Sequence, residues 1–347
     1  MKLRYLFLIS TLVTACVFSS CSRAEETGNI KEPKDYKAQC DRGDAKACLS
    51  LGVLYQDGVG VPQDFVEAIA LLRQACSGGV WEGCTRLGEM FNYGMGGVTQ
   101  DYVQASAFYR KACDRGDALG CHRLGQIYED GTGDTQDLAQ AVALYRKACD
   151  GGNAHGCFNL GMMYYDGKGV TQDFAQAAAA WRKVCDRGYA EGCYRLGLMY
   201  DNGTGVTQDF AQAVVLYRKA CDVGNAVWCF NLGMMYYDGK GVTQDFAQAA
   251  AVWRKVCDKG DPTGCVILGR MSEKGEGVKQ DIFQAAALYR KGCDENEEGG
   301  CADLGRMYLE GKGVKQSNTD ALNYFGKACR LKNQVGCKNY ALLKKKR

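Results

Sequence analysis

Cysteine is the residue type in this chain with the most chemistry to offer. Of twenty cysteines, eighteen form nine pairs whose members stand eight residues apart. The first five are Cys40 with Cys48, Cys76 with Cys84, Cys113 with Cys121, Cys149 with Cys157, and Cys185 with Cys193. The other four are Cys221 with Cys229, Cys257 with Cys265, Cys293 with Cys301, and Cys329 with Cys337. Thiolates are nucleophiles and metal ligands, and paired thiols oxidise to disulfides where the compartment allows it. Zinc sites favour much tighter spacings, so neither a metal nor another cofactor is expected. Two disulfide registers can be drawn. One joins each eight-residue pair and uses all eighteen cysteines. The other joins cysteines 28 residues apart, leaves Cys40 and Cys337 alone, and drifts to 29 between Cys84 and Cys113. The eight-residue register is the expected one, and closing each such loop contributes ~2.6 kcal/mol in the chain-entropy model.

The elements that must position these pairs repeat with them. Successive pairs begin 36 residues apart, with one 37-residue step between Cys76 and Cys113. A fixed period of this size marks a stacked repeat array, in which each unit contacts its neighbours. Every period reads as two helices. Asp44, Asp117, Asn153, Asn225, Asp261 and Asn333 stand four before the second cysteine as N-caps of helix A, and Pro262 suits a first helical position. Leu160, Met163 and Tyr164 fall on one apolar face, beside Gly161. Glycine inside a helix costs ~1 kcal/mol, which close approach of a neighbour can offset. Helix A should end at glycines such as Gly58, Gly131, Gly167, Gly203 and Gly239.

Helix B opens on Asp-x-x-Gln or Asp-x-x-Glu, read as a capping box from Asp64 with Glu67 to Asp281 with Gln284. Ser317 with Asp320 takes its place in the last full unit. The helix carries alanines and one aromatic, such as Tyr145, Trp181, Tyr217, Trp253 or Tyr289. The count is a partial helix near 34–41, eight A–B pairs and a last helix A near 334–343. Residues 157–185 and 229–257 differ only at Ala180 against Val252, the mark of a duplicated two-repeat block.

Charge is nearly balanced, with 43 basic and 40 acidic residues, and no basic stripe runs through the repeats. Nucleic acid is not an expected partner. Residues 1–21 read as an export signal: Lys2 and Arg4 precede an apolar stretch from Tyr5 to Phe18 that is short for a membrane span. Two maturation routes fit. Cys21 closes a lipobox-like Phe18-Ser19-Ser20-Cys21 and is the favoured lipidation site, while Ser22-Arg23-Ala24 suits ordinary signal peptidase. Both leave eighteen cysteines to pair, whereas lipidation at Cys16 strands Cys21 as an extra thiol. Residues 22–34 form a polar linker, 35–343 the repeat array and 344–347 a basic tail. The expected destination is the periplasm, the outer membrane as a lipoprotein, or the exterior. Membrane attachment is expected only through the N-terminal lipid.

The string Leu196-Gly197, Met199-Tyr200, Gly203, Gly205-Val206, Asp209, Ala213, Tyr217 and Lys219-Ala220 resembles the Sel1-like repeat, a relative of the tetratricopeptide repeat. The resemblance extends over about residues 35–343. A Cys-x7-Cys pair in every repeat is similar to the Helicobacter cysteine-rich proteins, also described as Sel1-like penicillin-binding proteins or β-lactamases. It implies an all-α, right-handed α/α solenoid with one disulfide per 36-residue repeat. It also implies β-lactam binding and slow hydrolysis of the β-lactam amide. The residues supply no recognised mechanism for that reaction. No serine has lysine three residues later, and only His122 and His155 are present for metal-hydroxide chemistry. No catalytic residue is assigned.

Binding is the reading the repeat itself supports. Solenoids of this kind expose a concave face of helix A, and positions one, two and five after the second cysteine vary along this chain while their neighbours repeat. Arg86, Arg123, Asn159, Arg195 and Asn231 form a contiguous series at plus two, suited to carboxylates and peptide amides. The expected ligands are peptides, peptidoglycan fragments, β-lactams or protein partners; the alternative is a solvated helix face. Trp81, Trp228 and Tyr189 break the repeat near helix A starts, either as binding aromatics or as packing at unit junctions. Met162-Met163 and Met234-Met235 read as core filler and groove wall.

Overall fold

The computed structural model describes residues 32–133, 135–223 and 226–345. The export signal, most of the linker, Cys21, the Asn225 cap, Lys346 and Arg347 lie outside them. The described chain is helical throughout. A short α1 (Pro33–Cys40) precedes eight A–B pairs. These are α2 (Ala45–Asp57) with α3 (Phe65–Ser77), α4 (Trp81–Tyr93) with α5 (Tyr102–Asp114), α6 (Ala118–Asp130) with α7 (Leu138–Asp150), and α8 (Ala154–Asp166) with α9 (Phe174–Asp186). They continue as α10 (Ala190–Asn202) with α11 (Phe210–Asp222), α12 (Ala226–Asp238) with α13 (Phe246–Asp258), α14 (Pro262–Lys274) with α15 (Ile282–Asp294), and α16 (Glu298–Glu310) with α17 (Asn318–Arg330). A final A helix, α18 (Gln334–Lys345), closes the array and takes in Lys344 and Lys345, expected as tail.

The local signals act as expected at most helix starts. Asp44, Asp117, Asn153, Asp261 and Asn333 accept backbone N–H groups of the first turn, and Glu297 does the same for α16. Val80 and Tyr189 make no such bond. At helix B only half of the expected capping box forms. Asp173 accepts from the Gln176 N–H at 3.0 Å, but its own N–H donates to the Tyr164 carbonyl at 3.0 Å. The cap is already tied to helix A of its unit, so the glutamine side chain has no N–H to receive. The preceding glutamine does a second job: Gln172 Nε2 donates to the Tyr165 carbonyl at 2.8 Å, satisfying an orphan group at the end of helix A. Seven other units repeat that bond, from Gln63 to Gln316.

Packing explains the mid-helix glycines. A Cβ at Gly161 would lie 2.4 Å from Trp181 Nε1, and one at Gly88 would lie 2.5 Å from the Tyr109 ring. Each glycine thus seats the large aromatic of its own helix B, and Tyr109, Tyr145, Trp181, Tyr217, Trp253, Tyr289 and Phe325 are all fully buried.

All nine eight-residue disulfides form. Cys40 ends α1 and bonds Cys48 in the first turn of α2. Cys76 near the end of α3 bonds Cys84, Cys113 of α5 bonds Cys121, and Cys149 of α7 bonds Cys157. Cys185 of α9 bonds Cys193, and Cys221 of α11 bonds Cys229. Cys257 of α13 bonds Cys265, Cys293 of α15 bonds Cys301, and Cys329 of α17 bonds Cys337. Every second cysteine lies in the first turn of an A helix, so the staples cross the junctions between units. The alternative 28-residue register does not occur. Most of these cysteines are buried, with Cys329 and Cys337 partly accessible at the C-terminal end. The single 37-residue step is absorbed by a 3-10 turn at Met95–Gly97, where Gly96 adopts φ 70°.

Candidate binding groove

The variable face of the A helices is less open than its sequence suggested. Plus-one residues lie between units: Thr85, His122, Val266 and Ala302 are buried. The plus-two residues Arg86, Arg123, Asn159, Arg195 and Asn231 are half-buried, at one register of successive A helices. Plus-five of one unit meets plus-two of the next. Arg123 Nε donates to Glu89 Oε1 at 3.0 Å, and Arg270 Nε to Asp303 Oδ2 at 2.9 Å. Arg306 adds a bidentate pair to Glu273 at 2.9 and 2.7 Å. Burial opposes ionisation of Glu273, but hydrogen bonds from Arg306 and Tyr289 prevail and hold its carboxyl below the ordinary range. The Arg123–Glu89 and Arg270–Asp303 pairs thus share one offset between neighbouring units, while Arg306 reaches further along the preceding A helix. Arg86 instead pairs within its own helix, with Glu82 at 3.1 Å.

The centre of the groove is different. Asn159 Nδ2 lies 3.3 Å from His122 Nε2, and Asn231 hydrogen-bonds the Tyr217 hydroxyl. Arg195 sits over the Trp181 ring at 5.9 Å, with Tyr165 beside the same indole at 5.5 Å. The apolar wall includes Met162, Leu198 and Met234, while Met163 and Met235 are buried beneath it. Burial, with Arg123 and His155 nearby, pushes the His122 imidazole down to about 4, so it is neutral near pH 7.

The floor of the groove carries a further pattern. The buried helix-B tyrosine gives its hydroxyl to an acid eight residues past the second cysteine. Tyr145 donates to Glu129 at 2.5 Å, Tyr217 to Asp201 at 3.3 Å and Tyr289 to Glu273 at 2.9 Å. Burial, the largest cause, and the neighbouring acids hold all three phenols above their ordinary range. Tyr109 is the exception. Its unit carries Asn92 where the others have the acid, and the hydroxyl has no hydrogen-bond partner among the described residues. It faces a polar recess of about 190 Å³ lined by Tyr93, Arg123, Gln126 and Asp130 among others. Burial raises the Asp130 carboxyl at that recess.

The aromatic irregularities divide. Arg115 covers Trp81 at 5.3 Å, which makes it part of a unit junction. Trp228 packs against Tyr194 at 6.2 Å, also at a junction. Tyr189 stays 48% exposed, with its edge on His155. His122 and His155 stand 5.8 Å apart between ring centroids. Among the described residues no group of three or more His, Cys, Asp or Glu gathers to hold a metal ion. No helix among them is long and apolar enough to cross a membrane.

Comparison with known proteins fits this geometry. The Sel1 repeat model matches residues 45–80, 81–117, 118–153, 154–189, 190–225, 229–261, 262–297 and 299–333. The chain is similar to c5321, a protective antigen of uropathogenic Escherichia coli with an SLR fold, at 30% identity and TM-score 0.84 over 90% of this chain and 67% of that one. It is also similar to a Sel1 repeat protein from Oxalobacter formigenes, at 25% identity and TM-score 0.65 over 95% and 97%. Helicobacter pylori cysteine rich protein B matches at 32% identity and TM-score 0.32 over 38% of this chain and 94% of that one. No curated protein matches. The chain belongs to the Sel1 repeat family.

Proposed function

We propose that this chain is an exported interaction scaffold whose A-helix groove holds an extended peptide segment of a partner protein or cell-wall fragment. Sel1 repeats are a fold for protein–protein interaction, and the many disulfides suit an oxidising environment. In this reading the export signal in residues 1–21 delivers the array, with lipidation at Cys21 or cleavage after Ala24. On the same reading Arg123, Asn159, Arg195 and Asn231, at one register of successive A helices, would supply donors to the segment, with Arg86 at the end of the series exchanging Glu82 for it.

The observation that carries the reading is the Tyr109 hydroxyl. A buried donor without a partner costs free energy that three sister units avoid with an acid. Burial and Glu89 hold the phenol above its ordinary range, so it stays a donor. A ligand carbonyl or hydroxyl entering the polar recess would accept from it. No comparable constellation favours β-lactam hydrolysis: the eighteen cysteines are bonded, and His122 is buried and neutral.

The test is a cross-linking comparison in cell-envelope extract. Tyr109→Phe removes a buried hydroxyl that bonds nothing among the described residues, so stability should hold or rise by about 1–2 kcal/mol. A partner cross-linked by wild type should be lost or reduced by about tenfold in Tyr109→Phe and in Arg195→Ala with Asn231→Ala. Equal capture by all variants rejects the groove.

A further inference from the structure

The junctions on either side of α10 carry apolar residues at three positions that are polar or bare in most other units. Tyr189 stands at an N-cap position that Asp or Asn fills in most other units, with Val80 and Glu297 as the further exceptions. Val223 stands where most units have Arg, Lys or Gly, and Trp228 stands where seven others have the glycine before the second cysteine. A Cβ at the equivalent Gly156 would lie 2.5 Å from Ala148, so most units have no room for any side chain there. Val223 and Val227 are 68% and 57% exposed. Trp228 packs one side against the core beside Tyr194, whereas Tyr189, Val223 and Val227 stay exposed. They surround a cavity of about 290 Å³, with Phe158, Tyr189, Val223 and Trp228 in its wall.

The local fold gives something up for this arrangement. Tyr189 makes no side-chain capping bond to α10. Trp81, the comparable aromatic near the other end, is covered by Arg115, whereas Tyr189 has only the edge contact with His155. A local rule broken without structural gain points to function.

We propose that this cavity is a docking socket, separate from the A-helix groove, for one large apolar side chain of a protein partner flanked by lysine or arginine. The volume suits a single phenylalanine or leucine side chain and is too small for a packed helix face. Charge selects the flanks. Glu191 lines the socket and Asp222 precedes Val223, and neither has an ion-pair partner among the described residues. Two cations stand near these acids: Lys219, exposed three residues before Asp222 on α11, and Arg187, whose guanidinium turns back to Cys157 Sγ at 3.4 Å. A basic flank on the partner would meet two acids around an apolar well.

The socket can be erased by restoring what other units carry. Trp228→Gly with Tyr189→Asn should fold, because both residues are native at the same places in sister units. The probes are three blocked tripeptides, Lys-Phe-Lys, Lys-Ala-Lys and Glu-Phe-Glu, followed through the indole N–H resonance of Trp228 and by calorimetry. Lys-Phe-Lys should shift that resonance and bind at least about tenfold more tightly than either control. The double variant should lose this binding by calorimetry, while Arg195→Ala with Asn231→Ala should keep it. Equal binding of the three peptides, absence of binding, or retention by the double variant overturns the socket. Loss only in the groove variant assigns the peptide to the groove and likewise overturns it.

Discussion

The α8–α9 and α12–α13 repeats are the same sequence from Cys157 to Cys185 and from Cys229 to Cys257, apart from Ala180 against Val252. Their surroundings are not the same. Trp181 gives its indole N–H to the Phe158 carbonyl at 3.2 Å, while the Trp253 N–H has no partner among the described residues. Arg195 lies over Trp181, but the residue in that place beyond Trp253 is Ile267, which packs against the core. Asn159 contacts His122 from the preceding unit, where its twin Asn231 has Tyr194 at the corresponding place. Tyr237 donates to Glu276 at 2.9 Å, and the position matching Glu276 one block earlier is Thr204. What these twin units present at the surface therefore differs through their neighbours, although pairs such as Arg86 with Glu82 stay within a unit. Duplicating a block creates new junctions, and new chemistry at them, without changing the scaffold.

The largest expected departure between the twins is at His122. Its imidazole is pushed down to about 4 by burial, then by Arg123 and His155, against ~6.5 in an unfolded chain. The unfolded state takes up the proton first on acidification. Stability is thus fully present above pH ~6.5 and falls toward pH ~4, by an amount on the order of 3 kcal/mol. His122→Tyr copies the Tyr194 junction and should flatten that part of the pH dependence between pH 7.5 and 4.5 in urea denaturation. An unchanged slope would mean that the histidine is not the titrating group.

A middle-sized effect should be shared by both twins. Gly161→Ala and Gly233→Ala drive a methyl to 2.4 and 2.5 Å from the two indole nitrogens. Each should lower stability by ~2 kcal/mol, read as a lower denaturation midpoint. A clear difference between them would show that the junctions also reach into the buried core. The smallest change should go the other way. Tyr189→Asn restores the cap present as Asn153 at the start of α8 and should raise stability by ~1 kcal/mol. A loss of stability would mean that the Tyr189 ring does structural work.

Sequence made the scaffold readable because its determinants are local and recur. Caps, stopping glycines and staples each act over a few residues, so Asp117 and Gly131 bound α6 from both sides. Junction chemistry was harder to see because its partners lie about one repeat apart. Glu89 and Arg123 are separated by 34 residues, and Arg270 and Asp303 by 33, so a helix-face count cannot pair them. The Arg86 series is legible in the sequence as a line of positions. What each member bonds depended on the unit before or after it, and the orphan hydroxyl of Tyr109 emerged only from comparison with Tyr145, Tyr217 and Tyr289.

The staples also change what a cut to the chain means. Arg42, Arg115, Arg187 and Lys259 are exposed and stand inside eight-residue disulfide loops, where a protease specific for basic residues would meet them. Cleavage there adds a water molecule but frees no fragment, since the disulfide still spans the break. These exposed basic sites are thus places where the chain can be nicked and remain one molecule.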